Sequence, residues 1–311
     1  MLQAINALVP VLLIMGLGRA LASFRIISEE QWRGIDTLSY QVLFPALIVL
    51  NLASVDFAAL PTYDLGATLL LTVLAMTALL LILRPLMMGP LKIDGPAFTS
   101  IVQGSTRWMT SVALVLCAGL YGPEGVALVS VAMVAMIPVL NLINVTILAL
   151  YAGGTFPGPL KFLKDLATNP LIASCAIGLA LNLVGLPLPD FLTSALRTTG
   201  AAALAIGLLA VGAGIDLSRL RRPGLRLTIA AVLRLAGMPL MAAGFAALFG
   251  LEGTALGVAI VCTAVPTASA AYLLARKMGG DAPLMAEIIA LQTVAAIFTF
   301  PLALGLLAPA G

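Results

Sequence analysis

From Val129 to Ala152, and again from Ala201 to Gly214, the chain runs without a single charged side chain. A hydrocarbon layer about 30 Å thick takes about 20 apolar residues per spanning helix. Backbone groups in lipid must pair internally, so only helices or closed barrels can span it. Barrel strands alternate in polarity over about 10 residues, whereas these runs are continuous. Of 311 residues, 61% are hydrophobic and 9% charged, against about 25% charged in a soluble domain. The expected class is an all-α polytopic membrane protein, and a soluble protein is excluded.

Breaks at polar and Pro/Gly clusters divide the chain into ten spans, at 4–22, 35–53, 64–84, 97–120, 125–151, 168–186, 191–215, 226–250, 254–276 and 283–307. No basic segment precedes Ala4 to Ala22, which is read as span 1 and not as a signal peptide. Thirteen of the sixteen Lys and Arg fall in the odd-numbered loops: Arg19, Arg25 and Arg33; Arg84 and Lys92; Lys161 and Lys164; Arg219, Arg221, Arg222 and Arg226; Arg276 and Lys277. The even-numbered loops hold none and carry Asp56, Asp64, Glu124, Asp190 and Glu252. The positive-inside rule then puts the odd loops in the cytoplasm and both termini outside, in a plasma (inner) membrane. Adding or deleting one span would scramble this parity.

An even count with a loop near the middle suggests an internal repeat. Residues 1–152 make a first five-span half, 153–166 a cytoplasmic connecting loop and 167–311 a second half. Span 2 ends at Asp56 and span 7 at Asp216; span 4 runs into Tyr121 to Gly125 and span 9 into Lys277 to Asp281; spans 5 and 10 carry Pro138 and Pro301. Five is odd, so the second half inserts upside down. Chance likeness among Ala- and Leu-rich helices is the alternative, and agreement in order and spacing argues against it.

Inverted repeats put substrate at the midplane, between interrupted helices. Span 9 holds Thr263, Pro266, Thr267, Ser269 and Tyr272 at mid-depth. Proline there frees a carbonyl that a hydroxyl or a ligand can satisfy; an ordinary proline kink is the alternative. Span 4 holds Gln103, Thr106, Arg107, Trp108, Thr110 and Ser111. An arginine at the helix centre costs about 2.5 to 3.5 kcal/mol on insertion scales, so it faces a cavity or a partner. No acid lies at comparable depth, so a carboxylate ligand held bidentately by Arg107 fits that vacancy. The other reading has Arg107 bonding to carbonyls freed where spans 4 and 9 unwind. Arg234 and Glu287 lie near cytoplasmic span ends and Arg197 near the outer side, where each snorkels or pairs. Asn51, Asn141, Asn144, Gln292 and Thr293 suit interhelical hydrogen bonds or the lining of a site.

Several motifs resemble the auxin efflux carrier family: Asn169-Pro170, Arg234-Leu235 with Pro239-Leu240, Pro266-Thr267-Ala268 followed by Tyr272 and Gly279-Gly280-Asp281, Phe44-Pro45 with Leu47, and Phe300-Pro301-Leu302. They cover essentially the whole chain. The resemblance implies two inverted five-helix repeats, broken spans 4 and 9 crossing at the midplane, elevator-type alternating access and a homodimer. It also implies an organic-anion substrate: auxin in the plant carriers, and malonate, malate or other small carboxylates among bacterial relatives. Only a short loop joins spans 5 and 6 here, as in the bacterial type. Span 4 departs from the family pattern, with Thr106-Arg107-Trp108 in place of an Asn followed by Gly and Pro. That departure bears on how fully span 4 breaks and which anion is preferred.

The expected function is therefore a secondary carrier, in the efflux direction, for a small carboxylate or auxin-like anion. Arg107, Thr106, Thr110, Ser111, Pro266, Thr267, Ser269 and Asn51 are the expected binding residues. Gln103, Thr263, Asn141, Asn144 and Gln292 are candidates for an ion or supporting site. With no histidine and no midplane acid, coupling is expected through membrane potential or Na⁺. Cys117, Cys175 and Cys262 sit singly in apolar runs, and neither a metal nor any other cofactor is expected beyond a coupling Na⁺. An enzyme would need a Ser/Lys, paired Asp or metal constellation at depth, which the pattern lacks. A Na⁺-coupled carrier for carboxylate uptake, and after it a channel or sensor of the same fold, stay open at this stage. The scattered basic residues suit topology and anionic lipid, not nucleic acid.

Overall fold

Long apolar sequences with few capping signals fold here into helices throughout. The computed structural model describes residues 2–57, 60–153, 158–185, 188–214, 224–268 and 270–308, and every regular element among them is helical. Asp216, Ser269 and the Arg219, Arg221 and Arg222 group lie outside the described residues. Six stretches are long and apolar enough to cross a membrane: Glu29–Ser54, Thr62–Met88, Gly95–Tyr151, Asp190–Ala210, Leu225–Leu248 and Ala282–Leu307. Shorter apolar helices include Pro170–Val184 and Gly253–Ala264. The protein is a multi-pass membrane protein.

Local chemistry sets the helix ends. Helix α1 (Leu2–Ser23) is followed by α2 (Glu29–Leu38), which opens with a capping box between Ser28 and Gln31. A five-residue π-helical turn, Ser39–Leu43, joins α2 to α3 (Phe44–Ser54), whose second residue is Pro45. Proline lacks an N–H and its ring clashes with the carbonyl one turn back, and the widened turn accommodates both. Helix α4 (Thr62–Met88) precedes α5 (Gly95–Thr106), capped by the Asp94 carboxylate accepting from Ala97 N at 2.8 Å.

The stretch Thr110–Tyr151, α6, is not one rod. Gly122 has φ 60° and ψ −144°, and a Cβ on Gly125 would lie 2.3 Å from the Cys117 carbonyl oxygen. Residues eight apart in a straight helix are about 12 Å apart, so the chain doubles back at Gly122.

The expected connecting loop 153–166 carries a helix instead, α7 (Pro159–Ala167). Its Leu160 and Leu163 stand exposed beside Lys161 and Lys164, the apolar and basic pattern of a short amphipathic helix. Helices α8 (Pro170–Val184), α9 (Asp190–Ala213) and α10 (Leu225–Val232) follow. A second π-helical turn, Leu233–Gly237, leads into α11 (Met238–Leu248), again with a proline, Pro239, at its second residue. The chain ends with α12 (Gly253–Ala264), α13 (Ala270–Met278) and α14 (Ala282–Leu307).

These helices pack as two bundles. In one, α1 and α3 lie on α9, and α3 also on α8. The α1–α9 approach depends on glycine: a Cβ on Gly18 would sit 2.0 Å from Leu209 O, and one on Gly212 1.9 Å from Met15 O. The other bundle gathers α4, α5, α6, α10, α11, α12, α13 and α14. The bundles meet where α6 touches α3, α8 and α9, and where α1 touches α14. A Cβ on Gly207 in α9 would lie 3.0 Å from both Phe44 and Val115, so this glycine lets the two bundles come together at the seam.

Four of the odd-numbered loops, 3-4, 5-6, 7-8 and 9-10, come together at one end of the larger bundle. Arg226 pairs with Asp94 at 3.9 Å and donates to Lys92 O, Arg84 donates to the Tyr151 hydroxyl at 2.7 Å, and Ser100 donates to Asp281 O at 2.9 Å. At the other end Asn182 donates to Val55 O at 2.8 Å, and Tyr121 lies against Gly257.

Candidate anion site at a crossing of two broken helices

Two helices stop inside the larger bundle. Helix α5 ends at Thr106 and α12 at Ala264, each after 12 residues, and the next residue is extended in both: Arg107 at φ −72°, ψ 148° and Val265 at φ −68°, ψ 152°. Helix α6 resumes at Thr110 and α13 at Ala270. Span 4 is thus fully broken without a proline of its own. The two breaks touch, Met109 N donating to Pro266 O at 2.9 Å.

A helix end leaves its last carbonyls without intrahelical donors, and burial makes that costly. Several of the carbonyls here have found donors from elsewhere in the bundle. Gly104 O accepts from the Thr267 hydroxyl at 2.7 Å and from Gln292 Nε2 at 2.8 Å, while Gln292 Oε1 accepts from Thr267 N at 3.0 Å. Arg234 donates from Nε to Val265 O at 2.7 Å, from Nη2 to Cys262 O at 2.9 Å and from Nη1 to Thr106 O at 3.5 Å. Arg234 is 0% exposed, so the expectation that it snorkels near a span end is corrected. The π-helical turn around it aims the side chain inward to the crossing. The role weighed for Arg107, bonding to carbonyls freed at the breaks, belongs to Arg234.

Arg107 points elsewhere. It lines a cavity of about 610 Å³ between the two bundles, and its guanidinium's protein partner among the described residues is Asn141 Oδ1. From the larger bundle the cavity takes Arg107, Trp108, Met109, Thr110, Ser111, Asn141, Ala268, Ala270 and Thr293; from the smaller it takes Asp36, Ser39, Tyr40, Phe44, Asn169 and Gly207. Among the described residues no side-chain cap is found at the start of α6, where a helix leaves its first N–H groups without intrahelical acceptors, beside Thr110 and Ser111. Helix α13 also begins at this wall. A guanidinium and two helix N-termini, all of positive character, therefore border one cavity.

The expected residues divide. Arg107, Thr110, Ser111 and Asn141 line the cavity. Thr106, Thr267, Gln292 and Pro266 hold the crossing through backbone or side-chain bonds, and Thr106 and Thr263 return their hydroxyls to their own helices. Asn51 donates to Leu47 O in its own helix and is not among the residues that line the cavity. Of the candidate ion residues Gln103, Thr263, Asn141, Asn144 and Gln292, only Asn141 reaches the cavity. Gln103 is buried with both amide atoms unpartnered, and Asn144 donates to Leu140 O while its own oxygen has no partner.

Sequence reasoning missed three residues here. Asp36 brings a carboxylate to the cavity; it sits at the start of span 2, and the cavity extends to that end. Asn169 caps α8 through bonds to Leu171 N and Ile172 N and also lines the cavity. Trp108 lines it too, and its buried indole N–H has no partner among the described residues. An indole N–H is a donor only, and its place beside Arg107 was the available signal. All three cysteines are buried free thiols, and among the described residues no group of His, Cys, Asp and Glu could hold a metal.

No curated protein matches the chain. Residues 159–304, from α7 through most of α14, match the model of a family described as membrane transport protein. Those residues include Asn169-Pro170, Arg234-Leu235 and Pro266-Thr267-Ala268. The match covers the second half of the chain, where several of the motifs that resemble the auxin efflux carriers lie, and it shows that half to be similar to a membrane transport protein.

Proposed function

We propose that the protein is a secondary carrier that exports a small organic anion, a carboxylate or an auxin-like acid. The observation that carries this reading is Arg107, set in a cavity between two bundles with the first turns of α6 and α13 beside it. Arg107 supplies the fixed charge and a planar fork of donors, and Thr110, Ser111 and the first N–H groups of α6 complete the cradle. Asn141 orients the guanidinium from the facing helix. Tyr40, Phe44 and Trp108 wall the cavity and suit an anion with an apolar or aromatic body.

Ten passes in two inverted repeats are supported by the matched lengths and exits of α5 and α12, and by the gathering of odd-numbered loops at one end. The basic residues of that end make it cytoplasmic by the positive-inside rule. Asp36, Asn169 and Gly214 line the cavity on that side, consistent with an inward-open state. A cavity along the seam between two bundles suits an elevator movement, in which the larger bundle carries the anion past the smaller.

An inside-negative potential drives an anion outward by about 2.3 kcal/mol per charge per 100 mV, so efflux needs no co-ion. Solid-supported membrane electrophysiology on proteoliposomes tests the reading with malonate, malate, 2-oxo acids and indole-3-acetate. A saturable current with one class, and counterflow of that anion against its gradient, is the expected result. Neither current nor counterflow with any of them overturns it, and current without counterflow makes the protein a channel.

A further inference from the structure

Carriers with broken helices hold coupling cations on carbonyls released at the break and at half-helix C-termini. The same acceptors are present here. Cys262 O and Thr106 O belong to the last turns of α12 and α5, where the helix dipoles are negative, and Val265 O lies in the break. All three face Arg234, a cation with no exposed surface that makes no ion pair among the described residues.

We propose that Arg234 is a tethered counter-cation. Its guanidinium occupies the carbonyl cradle in which a mobile cation would otherwise sit, and so replaces a coupling ion with a permanent one. The inference rests on the carrier reading for its meaning in transport, and on the three hydrogen bonds for its chemistry. A mobile Na⁺ would leave the crossing in each cycle and let the two half-helix ends repel. A side chain anchored in the π-helical turn cannot leave, so the crossing keeps its charge throughout and transport is independent of Na⁺. Arg234 is a positioning residue in this scheme: it holds α5 and α12 end to end and thereby keeps Arg107 at the cavity wall.

The purified protein in detergent provides the test, read first without any transported anion. The thermal midpoint of the wild type is expected to be the same in NaCl, KCl and choline chloride at equal ionic strength. Arg234→Ala is expected to lower the midpoint by about 10 °C. Methylguanidinium, and to a lesser extent Na⁺, should restore it saturably, while choline should not. Arg234→Lys, which keeps one charge but reaches fewer carbonyls, should fall between the two. A Na⁺-specific shift in the wild type overturns the proposal, even if the alanine variant cannot be recovered. So does an Arg234→Ala protein that responds no more to methylguanidinium than to choline. These arms involve no substrate, so failure of anion counterflow would overturn the carrier reading alone.

Discussion

After Thr106 the chain leaves its helix at Arg107, and after Ala264 it leaves at Val265, with backbone angles within a few degrees of each other. The surroundings differ. Arg107 and the two residues after it line an open cavity, whereas Val265 is 1% exposed and its carbonyl is held by Arg234. At the second break Thr267 N is taken by Gln292, and the Thr267 hydroxyl by Gly104 O. At the first, Met109 N is taken by the backbone of the other break, Pro266 O, and the next helix starts with no side-chain cap. One shape thus serves two ends: the second break closes its polar groups inside the protein, and the first leaves donors available.

Substitutions can separate the two roles. The largest effect is expected at Gln292, whose amide satisfies Thr267 N, Gly104 O and Ala230 O. Gln292→Leu leaves buried polar groups unpaired at about 1–3 kcal/mol each, and a clear fall in the detergent melting temperature is expected together with loss of transport. An unchanged melting temperature would break the idea that the second break is a structural clasp. Arg107→Gln comes next. It removes charged hydrogen bonds worth about 1.5–3 kcal/mol, so the apparent affinity for the anion should fall by about 10- to 100-fold. The melting temperature should stay near that of the wild type because the side chain borders a cavity, and unchanged affinity would remove Arg107 from the site.

Thr267→Val should cost about 1 kcal/mol of stability, because Gly104 O keeps its bond from Gln292. Its anion affinity should be unchanged, and a selective loss of affinity would move Thr267 back among the binding residues. The smallest effect is expected for Asn51→Ala. Asn51 spends its amide on its own helix away from the cavity, so counterflow at low anion concentration should match the wild type.

Particular residues show how far the sequence could be read. Arg107 stood out because a charge in an apolar run must have a partner or a cavity, and it has both. Pro266 marked one break correctly. The other has no proline, so only the density of polar residues from Gln103 to Ser111 announced it. Arg234 was misread because depth was judged by distance along its span, while the π-helical turn turns its side chain into the crossing. Asp36 was not singled out at all, since a cavity wide enough to extend to the start of a span brings in residues that look peripheral in one dimension.

Composition and apolar run length determined by themselves that the chain is helical and crosses a membrane, because lipid offers backbone groups no other partner. The basic residues determined how the loops sort, a property of each loop alone. Which arginine clasps the crossing and which faces the cavity was decided only by tertiary structure. The cost of burying a charge says that each needs partners, but the carbonyls that serve Arg234 come from Thr106, Cys262 and Val265, on two other helices. Partners that distant along the chain leave no local pattern, and their position is a consequence of how the helices pack.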